Sequence, residues 1–462
     1  MTDNSMLVPN SVGVSSDVLY NLKNSCVRAR SYRLNLPSSN KSSFLPQDVA
    51  IFSIPGGRRN TFLDCQQSYI KMQIRNYDSA NTLLFDGNGS SFISRLDIFH
   101  SSNLIETIQA YGVLYQYLID FTTDSSFKLG VTTAWGTTAD RNGITLAKAT
   151  AALYSHTTVC MPILSAIIGS TADKMLPIGE LNDDVRVEVT FADVVTGAVV
   201  GGSTAQAYAT LGTNGVGWGI NNVELVLQIV ELSDEGMAIV HSATDFRSPV
   251  HMHGVSYRHF TSILPASSSG TYTTLVPARF ASLKNLILCP RSATTITDTQ
   301  SYSISSRVNP LFSQFWYRIG AFLVPQKPIN LYNPNNCGAY AEAFCETMRS
   351  LHGLNNTLVS SSVGGWYNTC DTVDGTSLVQ VALTAGNSYK NAFAYGQELE
   401  SFANRSDTLL CGMNTLNSQI FFEANIAGLS TTSTTAVAYT LDFYALFDQI
   451  TTLENGILSA RF

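Results

Sequence analysis

Charge is what this sequence most conspicuously lacks. Only 13% of its 462 residues are Asp, Glu, Lys or Arg, about half the share usual in a soluble domain. The 27 Lys and Arg against 34 Asp and Glu leave a net −7, the wrong sign for a uniformly basic nucleic-acid binder. Glu and Lys are too scarce for a coiled coil or helical repeat. No apolar stretch approaches the ~20 residues of a membrane span. The first residues, MTDNSMLVPN, show no basic start leading into an apolar run, so no secretory signal is expected and the protein is expected to be soluble. The sequons at Asn40, Asn88, Asn355 and Asn404 then read as chance.

The eight cysteines (26, 65, 160, 289, 337, 345, 370 and 411) form no C-x-x-C pair. Zinc sites want short paired spacings and disulfide scaffolds a denser set in a smaller chain, so reduced thiols in a cytosolic or nuclear setting are expected. A G-x-x-x-x-G-K-[ST] phosphate loop, H-E-x-x-H and G-x-S-x-G are all missing, which removes the commonest sequence marks of nucleotide, zinc-protease and esterase chemistry.

What fills the space is Ser, Thr, Asn and Gly, with 45% apolar residues, 23 Phe and 20 Tyr. Such a chain can bury a large core, which excludes disorder. Period 2 dominates. Ile70, Met72 and Ile74 alternate with Lys71, Gln73 and Arg75; Val185, Val187 and Val189 with Arg186, Glu188 and Thr190; Val223, Leu225, Leu227 and Ile229 with Glu224, Val226 and Gln228. These are half-buried antiparallel strands. Segments 94–99, 281–289, 315–323, 419–426 and 437–447 read the same way. Turn-forming clusters such as Asn142-Gly143, Gly201-Gly202 and Ser267-Ser268-Ser269-Gly270 separate strands. Residues 1–45 are Ser/Asn-rich, carry Lys23, Arg28, Arg30, Arg33 and Lys41, and read as a basic N-terminal arm.

Two segments depart from this rhythm. Leu104, Ile108, Tyr111, Leu114, Tyr115 and Leu118 recur at steps of three and four, as do Tyr340, Phe344, Met348 and Leu351. Amphipathic helices are expected over 104–121 and 338–352. The order of elements then repeats: strand 94–99, helix, long variable region, Leu181-Asn182, strands 184–191 and 223–231; then strand 315–323, helix, long variable region, Leu416-Asn417, strands 419–426 and 437–447. Arg95 and Arg318 mark the two copies. A duplication is the simplest reading. Eight antiparallel strands per half is the arithmetic of a jelly roll. The expected architecture is all-β: two tandem eight-stranded antiparallel jelly rolls, each with an inserted helix, over 46–240 and 241–462. Regions 122–155, 192–222 and 354–387 are too long for hairpins and read as Thr-rich interface loops.

The residues that could carry chemistry are few. His251, His253 and His259 lie in SPVHMHGVSYRHF, but the carboxylate and downstream His of a metal-binding barrel are missing, His352 being the only later histidine. Gly215-Val216-Gly217-Trp218-Gly219 has the wrong spacing for a dinucleotide loop and leads into a strand. Asp97 with Glu106, and Asp183 with Asp184, are the available acid pairs. Arg58-Arg59 is a basic turn. Trp316-Tyr317 and Phe421-Phe422 put aromatics on both faces of their strands, as in strands covered on both sides. No catalytic, cofactor-binding or metal-binding residue is expected, and no enzyme activity.

Three stretches carry a resemblance. Phe92-Ile93-Ser94-Arg95-Leu96-Asp97-Ile98 with Asn103-Leu104-Ile105, Tyr111 and Tyr117 is one; Leu176-Pro177-Ile178-Gly179-Glu180-Leu181 is the second; Phe315-Trp316-Tyr317-Arg318-Ile319-Gly320 with Pro325-Gln326-Lys327-Pro328-Ile329 is the third. In this order they resemble the double jelly-roll major capsid proteins of Polinton-like viruses, adintoviruses and virophages. The resemblance implies a homotrimeric, pseudo-hexameric capsomer tiling the icosahedral shell of a DNA virus, assembled in the host cytoplasm or nucleus. The implied partners are its own copies and penton and minor or cement proteins, without cofactor, sequence-specific nucleic acid or membrane span. Low charge density fits many weak contacts between like surfaces. A two-domain β-sandwich lectin or adhesin is the alternative, and a bicupin enzyme using His251 and His253 a third reading.

Overall fold

The computed structural model describes residues 27–78, 82–137, 144–148, 155–193, 198–201, 217–244, 246, 248–266, 270–293, 303–305, 307, 309–310, 312–331, 341–351, 373–374, 377–378, 392–401, 410–426 and 438–462. Besides the short strands Ser43–Phe44, Thr82–Phe85, Thr145–Leu146 and Ala198–Gly201, its first half places eight main strands in chain order: β1 (Ala29–Pro37), β2 (Val49–Ile54), β3 (Thr61–Asn76), β4 (Ile93–His100), β5 (Asn103–Gln109), β6 (His156–Pro162), β7 (Val185–Phe191) and β8 (Trp218–Leu232). They build two sheets, in the orders β1-β8-β3-β6 and β2-β7-β4-β5. The second half supplies β9 (Val250–Leu264), β10 (Gly270–Val276), β11 (Leu283–Ser292), β12 (Phe312–Ile319), β13 (Phe322–Asn330), β14 (Tyr395–Glu398), β15 (Ile420–Ile426) and β16 (Tyr439–Glu454). Their orders are β9-β16-β11-β14 and β10-β15-β12-β13. Adding eight to each label of the first half gives the second, so the duplication holds strand by strand. A last strand, β17 (Ile457–Arg461), pairs with β16.

Alternation sets the core. Along β7, and along β3 on either side of a break at Gln66-Gln67, every second side chain is buried, including Met72, Ile74, Val185, Val187 and Val189, because successive side chains in a strand point to opposite faces. Phe92 meets Phe85 and Trp218 edge-on, both at 4.8 Å. In the second half Phe315 meets Tyr395 at 4.1 Å, and Phe422 packs on Phe312, Tyr317 and Phe443. Each buried Phe of this kind contributes about 1.5–3 kcal/mol of transfer free energy.

Helices α1 (Tyr111–Thr122), α2 (Ser125–Gly130), α3 (Thr132–Trp135), α4 (Asp234–Ala243) and α5 (Ala341–Ser350) complete the described elements used below. The helix expected over 104–121 is shorter, because residues 103–109 are strand β5. Leu104 and Ile108 are four apart, which suits a helix, but pairing with β4 decides for the strand, and a register shift after Ile98 leaves Leu104 exposed and Ile108 buried. Ala110 then turns the chain at φ 48° into α1. Of the segment 338–352, residues 341–350 are helical. Segment 315–323 spans the end of β12, a turn at Gly320 (φ 58°) and the start of β13. Within the expected arm, residues 29–37 form β1 along β8, and Ser43–Phe44 also pairs with β8; residues 1–26 lie outside the described residues. Leu181-Asn182 and Leu416-Asn417 stand just ahead of β7 and β15, matching positions. Arg95 lies near the start of β4 and Arg318 near the end of β12, so those two are not equivalent. The turn clusters at 142–143 and 267–269, and nearly all of 354–387, lie outside the described residues.

Candidate functional site

The two halves meet along a buried polar seam. Asp86, fully buried, lies after Phe85. Its carboxylate accepts the backbone N–H groups of Ser303, Ile304 and Ser305 at 2.7, 2.7 and 3.0 Å and the Ser305 hydroxyl at 2.5 Å. Three consecutive N–H groups converging on one carboxylate satisfy a buried charge that would otherwise be strongly penalised. Asp120 of α1 accepts Arg307 Nη2 at 2.6 Å and lies 3.5 Å from Lys128 Nζ, all three side chains wholly buried. Glu106 of β5 accepts Ser165 Oγ at 2.5 Å, Ala166 N at 3.0 Å and, from β9, Ser256 Oγ at 2.5 Å. Burial pushes the Glu106 carboxyl above the usual carboxylate range, against the hydrogen bonds from Ser165, Ser256 and Ala166 and the Arg258 charge.

Helix α1 reaches the outer face of the second half's β9-β16-β11-β14 sheet, where Tyr117 lies beside Gly396 of β14 and α5 packs. Tyr444 of β16 donates to the Ala110 carbonyl at 2.9 Å, and Phe121 of α1 meets Phe344 of α5 at 6.4 Å. Asn285 of β11 donates to the Ser350 carbonyl at 2.9 Å. On this face Tyr257, Tyr444, Asn285, Ile287 and Cys289 are buried. Among the described residues the matching face of the first half is partly exposed. Arg33, Asn35, Glu224, Lys71, Gln73 and Arg75 line it as an exposed to half-buried polar ladder. Asn35 bridges to Glu224 at 3.1 Å, Lys71 pairs with Glu224 at 2.9 Å, and Arg33 lies over the Tyr69 ring at 5.7 Å. Among the described residues the chain thus covers one of two equivalent sheet faces and leaves the other partly exposed.

The residues singled out by sequence fall as follows. His251, His253 and His259 all lie on β9, with cross-strand partners Thr452 Oγ1 (3.0 Å), Asp448 Oδ1 (2.8 Å) and Asp442 Oδ1 (2.8 Å). Burial alone would raise Asp442, but the Arg291 charge and His259 outweigh it and hold the carboxyl below its usual range. Among the described residues no three His, Cys, Asp or Glu side chains form a group that could hold a metal ion. Asp97 stands opposite Thr107 and Glu106 opposite Ile98, so these two acids project from opposite faces of the sheet and cannot work as a pair. Asp184 accepts Ser53 Oγ and the Gly56 N–H at 2.5 and 3.1 Å. Arg59 pairs with Asp234 at 3.1 Å, both exposed. Tyr317 and Phe422 face the core, while Trp316 donates to Glu423 at 2.8 Å and Phe421 lies under Arg318 at 4.6 Å on the outer face. Gly217-Trp218-Gly219 leads into β8; Gly215, Val216 and His352 lie outside the described residues. The seam residues Asp86, Asp120, Lys128 and Arg307 went unread, because their only local mark is a charged residue beside apolar neighbours.

The architecture defines the class: two jelly rolls in tandem within one chain. No family model matches the sequence, and no curated protein matches it. Solved structures match over nearly the whole chain. A subunit of the PBCV-1 virus capsid aligns with 96% of this chain and 98% of its own at a TM-score of 0.60 and 8% identity. A chain of the Sputnik virophage aligns with 98% and 93% at 0.55 and 11%. The mavirus major capsid protein aligns with 97% and 93% at 0.52 and 9%. At such identities the likeness is one of fold, and the fold is the double jelly roll, of the type the sequence resembles.

Proposed function

We propose that this chain is a structural major capsid subunit, three copies of which form a pseudo-hexameric capsomer of an icosahedral shell. The observation that carries this reading is the unequal covering of two equivalent faces. Within one chain, α5 and the neighbouring α1 of the first half cover the β9-β16-β11-β14 sheet. The corresponding β1-β8-β3-β6 sheet keeps a polar, partly exposed outer face on which Arg33, Lys71 and Arg75 outnumber Glu224. A closed ring of identical copies would give that face a partner. The fold shared with capsid subunits of PBCV-1 and mavirus points the same way. The units of this proposal are jelly rolls over 46–240 and 241–462, with β1 of the preceding segment completing the first sandwich. The shell reading makes the chain a virion component without catalytic role or cofactor, whose partners are its own copies and the proteins closing the shell. The capsid neighbours lend no support to the glycan-binding alternative.

Light scattering on the size-exclusion peak tests the proposal. Three chains of 50.1 kDa give about 150 kDa, and a stable monomer at the working concentration would overturn it. Reversing Lys71 and Arg75 to Glu on this partly exposed face should shift the trimer toward monomer while leaving the folded chain intact by circular dichroism. Negative-stain images should show hexagonal outlines.

A further inference from the structure

The C-terminal hairpin of the second half is docked on the first by an arrangement that bears on control rather than on assembly. Asn455 and Gly456, at φ 51° and 77°, form the tight turn between β16 and β17, the left-handed pair that an Asn-Gly hairpin turn requires. Asn182 grips this turn, donating its side-chain amide to the Asn455 carbonyl at 2.7 Å and its backbone N–H to the Gly456 carbonyl at 3.0 Å. Strand β17 lies along β5. There the Leu458 backbone N–H donates to Nδ1 of His100 at 3.2 Å, with the imidazole wholly buried at the end of β4.

Because Nδ1 accepts, the ring is the neutral tautomer with its proton on Nε2. Nε2 is itself buried and has no hydrogen-bond partner. A second proton could go only onto Nδ1, where it would point at an N–H. Protonation therefore replaces a hydrogen bond by a donor–donor clash and leaves a cation in the interior. The groups facing the ring do little to relieve it. The cross-strand neighbours Asn103 and Val185 and the residue Leu458 are uncharged, and among the described residues Asp183, ahead of β7, is the charged group acting on it.

We propose that His100 and Leu458 form an acid-sensitive latch, in which protonation of Nδ1 releases the β16–β17 hairpin from the first jelly roll. Burial holds the imidazole below the ordinary histidine range, the Asp183 backbone and carboxylate opposing without cancelling it. In the open hairpin the ring is exposed and takes up a proton near pH 6.5. The sign follows: the open state binds the proton more readily than the closed one. Opening is therefore favoured as pH falls below about 6.5, by up to about tenfold per pH unit, and levels off at the lower pKa of the closed state. This latch is independent of whether the chain builds a shell.

The test is amide hydrogen exchange by mass spectrometry on the full chain, corrected for intrinsic rates, comparing a peptide over 457–462 with one from the core strand 283–292. Protection at 457–462 should fall by up to about tenfold per unit below pH 6.5, while 283–292 stays protected. His100→Gln keeps a neutral acceptor and should flatten that dependence. Unchanged protection at 457–462, joint loss in both peptides, or an unaltered pH dependence in His100→Gln would each overturn the latch. Exchange of the His100 ring C–H in the unmodified chain gives a reading that no variant's folding can spoil. Its midpoint must lie below about 6.5, at the pH where release of the hairpin levels off, and any other midpoint sinks the idea.

Discussion

Arg307 Nη2 lies 2.6 Å from Asp120 Oδ2, with no solvent on either side chain, and one residue belongs to each half of the molecule. The other carboxylate oxygen lies 3.5 Å from Lys128 Nζ, so one acid serves two buried cations. Replacing Asp120 by Ala removes the carboxylate both cations share and should destabilise the fold by about 3–5 kcal/mol. Arg307→Met should lose less, since Lys128 keeps its counter-charge. Urea unfolding followed by tryptophan fluorescence checks the order of the two variants, and an Arg307→Met loss equal to that of Asp120→Ala would contradict it.

The Asp86 cradle gives a second expectation. Asp86→Ala would strand three backbone N–H groups in the interior, each worth about 1–3 kcal/mol when unsatisfied. A loss of at least about 3 kcal/mol should appear, with Asp86→Asn intermediate because one oxygen still accepts. Because the cradle joins the halves, thermal unfolding of Asp86→Ala should also broaden or split in calorimetry where the parent unfolds in one transition.

Glu398 carries a proton deep into the neutral range. Burial is the main cause, and its carboxyl is pushed up to about 7. For an acid raised in the folded state, the ionisation penalty is complete above the folded pKa and vanishes below the unfolded one. The penalty therefore grows as pH rises from about 4.5 to 7. Glu398→Gln should be more stable than the parent by about 1–3 kcal/mol near pH 8 and indistinguishable from it near pH 4. Melting temperatures at several pH values read this directly, and a constant difference would refute it.

Thiol chemistry separates the cysteines. Cys65 and Cys289 are buried, and burial pushes each up to about 12. Cys345 is exposed. Native maleimide labelling should modify Cys345 within minutes and leave Cys65 and Cys289 untouched until denaturant is added, because the thiolate is the reactive form. Peptide mapping of the label decides it.

Much of the architecture was legible in the residues. The alternation of Val185, Val187 and Val189 placed β7, and Leu181-Asn182 against Leu416-Asn417 marked the matching entries to β7 and β15. The acid pair Asp97 and Glu106 shows where local reading stops: both sit near one hairpin, but a one-residue difference in register sends them to opposite faces. Segment 104–110 shows the same limit, since its spacing suits a helix and only the neighbour β4 decides for the strand. Tyr111, Tyr115 and Tyr117 could be read as helix residues, but not that the start of their helix meets the second half at Tyr444, 334 residues from its partner Ala110.

By itself the sequence determined an all-β chain, duplicated, poor in charge and devoid of the common catalytic motifs, because alternation and composition are properties of neighbouring residues. The tertiary structure alone decided that β1 closes the first sandwich, that Asp86, Asp120, Glu106 and His100 join the halves, and that one of two equivalent sheet faces is left partly exposed. The physical reason is desolvation. A carboxylate or imidazole looks the same in sequence whether wet or dry, and its energy is set by partners that folding brings from hundreds of residues away.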